Sequence, residues 1–308
     1  MHEPQRKCID EIKTVATPIF VIGAHRSGTT WLADQICIHP LIAGVQRMSK
    51  GACESCYFSH IYNRYGDLRD RVNFIEFAEV VRATDYFRLA GISRSFLYSL
   101  WPGNYITIFR TIMDHYALQN KATFWLEKTP MHSLLSPMLA AAYPDAKFIG
   151  ITRDFESGLA SHIPFFAKKM TGHRRLKAII ILSIIRVYYR KIIEDFTHKY
   201  GDRAILISYE ELLSDTAGTL KRICTFIGVD YCPSMEIQAF PRASSFESEE
   251  ERKYIFTTSD FKVARLCYWV VRFAPLPVLR VLHMLYHKKG RRRLPSHMFK
   301  MTSFTHDD

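Results

Sequence analysis

Eight residues, Gly23-Ala24-His25-Arg26-Ser27-Gly28-Thr29-Thr30, constrain this chain more than any others. A β-branched and aromatic run, Pro18 to Ile22, precedes them and reads as a buried strand. Thr29 to Ile38, free of Gly and Pro and with Leu32, Ala33 and Ile36 on one face, reads as the helix that follows. A strand-to-helix loop with glycines at its tight points leaves several N–H groups unpaired at the positive end of that helix, and Ser27, Thr29 and Thr30 add hydroxyl donors. Such a loop is an anion cradle. A turn that binds nothing would account for the two glycines, but not for the whole octet.

The glycine spacing matches the phosphate-loop pattern G-x-x-x-x-G-[KST]-[ST]. A nucleotide triphosphatase places a lysine after the second glycine, where this chain has Thr29; the strong cation of the loop is Arg26 instead. The octet resembles the phosphosulfate loop of sulfotransferases that use 3'-phosphoadenosine-5'-phosphosulfate (PAPS), in which Lys or Arg precedes Ser-Gly-Thr-Thr. The form with Arg looks most like the tyrosylprotein and related bacterial members. The resemblance implies that Arg26, Ser27, Gly28, Thr29 and Thr30 hold the 5'-phosphosulfate, with Arg26 also offsetting charge during transfer.

Further stretches extend the resemblance in order, from about Ala16 to Phe256. Glu54-Ser55-Cys56-Tyr57-Phe58 resembles the Glu-x-x-Phe-Phe pattern of heparan-type sulfotransferases, which implies that Glu54 is the general base; an alcohol needs its proton removed as it attacks. The plainer reading makes Glu54 a solvated loop residue, and His60 is a second candidate base. Glu127-Lys128-Thr129-Pro130, at the end of an apolar strand, resembles the Glu-Lys-Ser-Pro motif of glycosaminoglycan sulfotransferases. It implies that Lys128 reaches the transferring sulfuryl group, while Glu127 is expected to pair with a neighbouring cation. After a strand at Lys147 to Thr152 comes Arg153, with Ser161 eight residues on. In the family such a pair holds the 3'-phosphate, for which the planar fork of Arg is well matched. Asp154 could instead serve as a magnesium carboxylate, the kinase alternative. Arg252 or Lys253 could supply a basic group to the 3'-phosphate side.

Around these motifs, Phe74 to Leu100 and Tyr105 to Gln119 read as helical, broken at Trp101-Pro102-Gly103-Asn104, and are expected to form a cap over the acceptor pocket. Helices are also expected at about Met131 to Ala142, Arg174 to Lys199 and Thr216 to Ile227, the last capped by Asp215 and ended by Gly228. Ala204 to Ser208 reads as a strand.

With 308 residues and 48% hydrophobic content, the chain can bury a large core. Seven scattered cysteines do not suggest a secreted disulfide framework, and Cys53-Glu54-Ser55-Cys56, a lone C-x-x-C, reads as ordinary thiols. Met1 to Lys13 is polar and charged, so no signal peptide is expected, and no apolar stretch is long enough to span a membrane. Golgi members of the resembling family carry an anchor, so a cytoplasmic enzyme is expected. The charge is uneven: Phe261 to His306 lacks Asp and Glu and carries +10 of the whole-chain +12. Its Trp, Tyr and Arg pattern reads either as a membrane-surface element, placing the protein at the inner membrane face, or as a helix packed on the domain. No nucleic-acid motif accompanies the basic cluster.

The expected architecture is a single α/β domain over residues 16–260, P-loop-like, with a central parallel sheet flanked by helices, after a 1–15 lead and before a 261–308 tail. The expected function is sulfuryl transfer from PAPS, without a metal, to a hydroxyl on a glycan, glycolipid, lipid or protein tyrosine. A magnesium–ATP kinase and a non-catalytic, membrane-associated nucleotide-binding protein remain as alternatives.

Overall fold

Strand β1 (Thr17–Gly23) is paired on both sides, and its apolar run follows from that position. The computed structural model describes residues 16–47, 51–166, 170–237, 257–287, 294 and 296–299. Within it a five-stranded, all-parallel sheet runs in the order β2 (Ile42–Gly44), β5 (Phe124–Lys128), β1, β6 (Lys147–Thr152), β7 (Ala204–Ser208). Ile19, Phe20, Val21 and Ile22 of the central strand are at most 1% exposed, as expected where helices cover both faces. Two-residue strands β3 (Gln46–Arg47) and β4 (Gly51–Ala52) form a separate antiparallel pair.

Each face of the sheet carries its own core. On one, Phe20 stacks on Phe148 at 5.3 Å and meets Trp125 edge-on at 5.4 Å. Helices α2 (Arg71–Ala83) and α5 (Tyr105–Gln119) add Phe74, Phe77, Phe109 and Ile112 to this core. On the other, Ile19 and Val21 pack against Leu32 and Ile36 of α1 (Thr29–Ile36) and against Leu220 and Ile223 of helix Thr216–Ile227.

Register sets the site. Val21 lies opposite Lys128 and Gly23 opposite Ile151, so β1, β5 and β6 end together. The loop after β1, Lys128 and Arg153 therefore share one edge, the carboxyl edge where open α/β sheets bind ligands.

Several boundaries differ from the sequence reading for local reasons. The helix expected over 74–100 is three: α2, α3 (Asp85–Leu89) and α4 (Arg94–Ser99). Thr84 is extended and its hydroxyl bonds back to Val81 O at 2.9 Å, while Gly91 takes the left-handed φ of 66°. The helix expected from Met131 starts as a 3-10 turn (Pro130–Leu135) and becomes α-helical in α6 (Ser136–Ala142). Helix α7 is Phe155–Phe166, α8 is Gly172–Lys199, α9 is Tyr209–Ser214 and α10 is Thr216–Ile227. Asp215 does cap α10, accepting from Gly218 N at 2.8 Å, and Gly228 closes it at φ 93°.

Two further α-helices follow, α11 (Thr258–Val271) and α12 (Leu276–His287). Ala264 and Leu279, both fully buried, pack them against Ile179 and Leu182 of α8. Arg252, Lys253 and the basic cluster 288–293 lie outside the described residues. No described helix is long and apolar enough to cross a membrane.

Phe20→Ala, which empties the stacked centre of the larger core, should destabilise the fold by about 3–5 kcal/mol. Equilibrium denaturation measures this; a loss below about 1 kcal/mol would mean that the sheet is not packed as described.

Candidate active site at the carboxyl edge of the sheet

Both loop glycines answer to close approach. A Cβ at Gly23 would lie 2.5 Å from Thr29 Cγ2 and 2.9 Å from Ile151 O. Gly28 has φ 91° and a Cβ there would meet the Tyr209 ring at 2.5 Å. The Ser133 hydroxyl fixes the loop's entry, accepting from Gly23 N at 2.8 Å and donating to Gly23 O at 3.2 Å. Because α1 begins at Thr29, its first amides have no intrahelical acceptor and face the loop. Ser27 and Thr29 are buried within the cradle.

The structure joins the loop to the distant Arg and Ser. Arg26 Nε donates to Ser161 Oγ at 3.2 Å, and Arg153 Nη1 donates to Arg26 O at 3.2 Å. Arg153 also lies 4.1 Å over the Tyr209 ring, which meets Trp31 edge-on at 5.8 Å. Burial, and then the Arg153 charge, lowers the Arg26 pKa.

A third arginine, Arg186 of α8, was not singled out from sequence. It is 5% exposed, donates to His25 O at 3.2 Å and lies across Gly158, where a Cβ would come within 1.7 Å of its Nη2. Burial foremost, then Arg153, pushes its pKa down to about 9, so it stays charged at neutral pH. Neither Arg153 nor Arg186 has an ion-pair partner among the described residues, and the Nε of each lacks a hydrogen-bond acceptor there. Both line a cavity of about 210 Å³ with Ser27, Arg190, Lys191 and Arg272. The lining has one carboxylate, Glu194, and Arg190 occupies it at 2.7 Å. The sequence signal for Arg186 is a lone cation inside the apolar run of α8.

On β5, successive side chains point to opposite faces, which gives Glu127 and Lys128 different tasks. Lys128, 2% exposed, donates from Nζ to Glu54 Oε1 at 3.0 Å. Burial works to raise the Glu54 pKa, but Lys128, His25 and His297 outweigh it and hold the carboxyl below its ordinary value.

Among the described residues Glu127 pairs with neither Lys nor Arg. Its Oε1 accepts from Ser55 Oγ at 2.7 Å and Thr129 Oγ1 at 2.6 Å, and its Oε2 lies 2.8 Å from His132 Nδ1. His132 Nε2 accepts from Phe58 N at 3.2 Å, so the ring proton sits on Nδ1 and faces the carboxylate. Thr129 Oγ1 accepts from Cys56 N at 3.2 Å. Glu127 thereby fastens residues 55–58, and with them Glu54, to the strand that carries Lys128.

The remaining candidates have other employment. Burial foremost pushes His60 down to about 4, and its Nδ1 lies 2.8 Å from Ser59 Oγ. Asp154 caps α7, its Oδ1 accepting from Ser157 N at 2.8 Å. Cys53 and Cys56 are free thiols. Glu54, Cys56 and His297 bring one ligating atom each within 4.8 Å of one another, a donor set that suits zinc, although Lys128 sets a positive charge against such an ion. His297 comes from a short turn (Ser296–Phe299) far along the chain, which sequence spacing did not reveal.

Comparison with known proteins gives the family. The family model for the sulfotransferase family, Sulfotransfer_3, matches residues 18–233. Among solved structures, the sulfotransferase domain of the Synechococcus PCC 7002 olefin synthase superposes with a TM-score of 0.50 at 16% identity, covering 91% of this chain and 96% of that one. Mouse sulfotransferase SULT7A1, complexed with PAP, gives a TM-score of 0.48 at 15% identity over 88% and 89%. A sulfotransferase from Alicyclobacillus acidocaldarius gives 0.44 at 18% over 86% and 100%. No curated protein matches the chain. The loop, the sheet that presents it and a family match over most of the chain agree: this protein belongs to the sulfotransferase family.

Proposed function

We propose that this sulfotransferase takes its sulfuryl group from PAPS and delivers it to an acceptor hydroxyl. The observation that carries the reading is the Arg26–Ser161 hydrogen bond, which spans 135 residues of sequence and draws the anion cradle and the second arginine–serine grip into one site. A ligand with two phosphates on one sugar suits such a site better than a nucleoside triphosphate does. The first-turn amides of α1 and the hydroxyls of Ser27, Thr29 and Thr30, turned by Gly28, hold the 5'-phosphosulfate. Arg153 and Ser161 hold the 3'-phosphate, with Arg186 as a third donor. Trp31, edge-on to Tyr209, offers an aromatic ring for the adenine.

In the transfer, an acceptor oxygen bonds to sulfur as the bond from sulfur to the phosphate oxygen breaks. The acceptor proton passes to Glu54, and adenosine 3',5'-bisphosphate leaves. Arg26 and Lys128 offset charge on the sulfuryl oxygens and the leaving phosphate, so these fixed cations do the neutralising and no metal is called for. Lys128 links donor and base. Bonded to Glu54 it keeps the carboxylate ionised but weakly basic; drawn toward an entering phosphosulfate, it releases Glu54 to take a proton. Thr29, standing where a phosphate-loop kinase has its lysine, counts against a magnesium–ATP kinase. Hydroxyls of a glycan, glycolipid or lipid are the acceptors we favour, with a protein tyrosine as a further class.

Transfer of labelled sulfate from PAPS to cell glycan and lipid extracts tests the reading. Glu54→Gln should lower transfer by about 10²–10⁴-fold while leaving affinity for adenosine 3',5'-bisphosphate nearly unchanged; undiminished transfer would remove Glu54 from the mechanism. Arg186→Met should reduce the preference for adenosine 3',5'-bisphosphate over adenosine 5'-monophosphate by about 10- to 100-fold. Equal weakening of both ligands would instead make Arg186 a brace for the loop alone.

A further inference from the structure

Helices α11 and α12 each turn an apolar stripe away from the body of the protein. On α11 and its C-terminal end, Leu266, Trp269, Val270 and Phe273 stand 55–71% exposed at spacing i, i+3, i+4, i+7. Val278, Val281, Leu282 and Leu285 of α12 repeat that spacing at 39–60%. An apolar stripe at this period is ordinarily the side a helix buries. Here the buried side is a different one, carrying Ala264 and Leu279 against α8. The hairpin is therefore apolar on two sides, and a surface of this kind marks a place of interaction.

Charge selects the occupant. No Asp or Glu occurs from Phe261 to His306, and the same stretch carries +10. Lys262 and Arg280 are exposed, and Arg265, paired with Glu156, is 65% exposed. Immediately after α12 the sequence adds Lys288, Lys289, Arg291, Arg292 and Arg293. A second copy of the chain would set one such basic stretch against another, so self-pairing is opposed. A bilayer with anionic headgroups meets both demands, since acyl chains accept the stripes and headgroups accept the cations.

We propose that the α11–α12 hairpin docks in the plane of an anionic phospholipid membrane, with Trp269 and Phe273 entering the headgroup boundary and Lys262, Arg265 and Arg280 bonded to lipid phosphates. The helices lie on the membrane rather than cross it. Docking of this kind holds whatever group the enzyme transfers, and an acceptor resident in the same membrane would then reach the site by lateral diffusion.

Flotation of the full chain with vesicles of phosphatidylcholine, with and without phosphatidylglycerol, tests it. Binding should be at least about tenfold tighter to the anionic vesicles and should weaken with salt. The double variant Trp269→Ser/Phe273→Ser, altered only at exposed positions, should lose at least about tenfold of that binding with an unchanged circular dichroism spectrum. Lys262→Glu/Arg280→Glu should abolish the preference for anionic lipid. Absence of vesicle binding, equal binding to both vesicles, or a dimer in sedimentation that the serine variant dissociates would each overturn the proposal.

Discussion

Positive charge gathered without an ion-paired carboxylate is costly, and this fold accepts that cost where the sheet's carboxyl edge meets α8. Arg153 and Arg186 have no ion-pair partner among the described residues, and each depresses or is depressed by a neighbouring arginine. The backbone makes the arrangement tolerable, since carbonyls of His25 and Arg26 accept from the two guanidiniums. Those same bonds shape the loop whose amides and hydroxyls face the site. The anion that would relieve the charge thus enters where loop geometry already suits it, and Gly158 stays small because Arg186 lies across it.

A second tension lies between Glu54 and Lys128. A buried ammonium and a partly buried carboxylate at 3.0 Å stabilise one another, which keeps the carboxylate ionised at the expense of its basicity. Glu127 settles their relative position. Its two oxygens gather Ser55, Thr129 and His132, so the segment bearing Glu54 is pinned to the strand bearing Lys128 by bonds made one residue away from either. Protein interiors favour such fully bonded carboxylates, and the one-residue offset follows from the alternation of a strand.

How much of this was legible in the sequence follows from how local each constraint is. The octet at 23–30, Lys128 and Arg153 stand at the ends of strands, where the identity of one or two residues reports both the turn and the charge it carries, and the parallel sheet followed from the runs that precede them. Strand β2, three residues long, carries no period to detect. Arg186 sits inside a long helix whose apolar run masks the single cation, and its meaning appears only when α8 crosses behind the loop. His297 and the hydroxyl partners of Glu127 are assembled from segments far apart in the chain, so no spacing announced them. The tail's basic, aromatic composition was evident, but composition alone does not distinguish a packed helix from an exposed one. The structure has both, a side against α8 and a side facing out.

The central claim is that one nucleotide with phosphates at both its 3' and 5' positions fills the site formed by the loop, Arg153 and Ser161. Calorimetric titration of the purified protein, in the presence of a chelator, with adenosine 3',5'-bisphosphate measures this directly. The account predicts saturable binding to a single site that magnesium does not improve; no heat from that ligand, together with magnesium-dependent uptake of ATP, would contradict it.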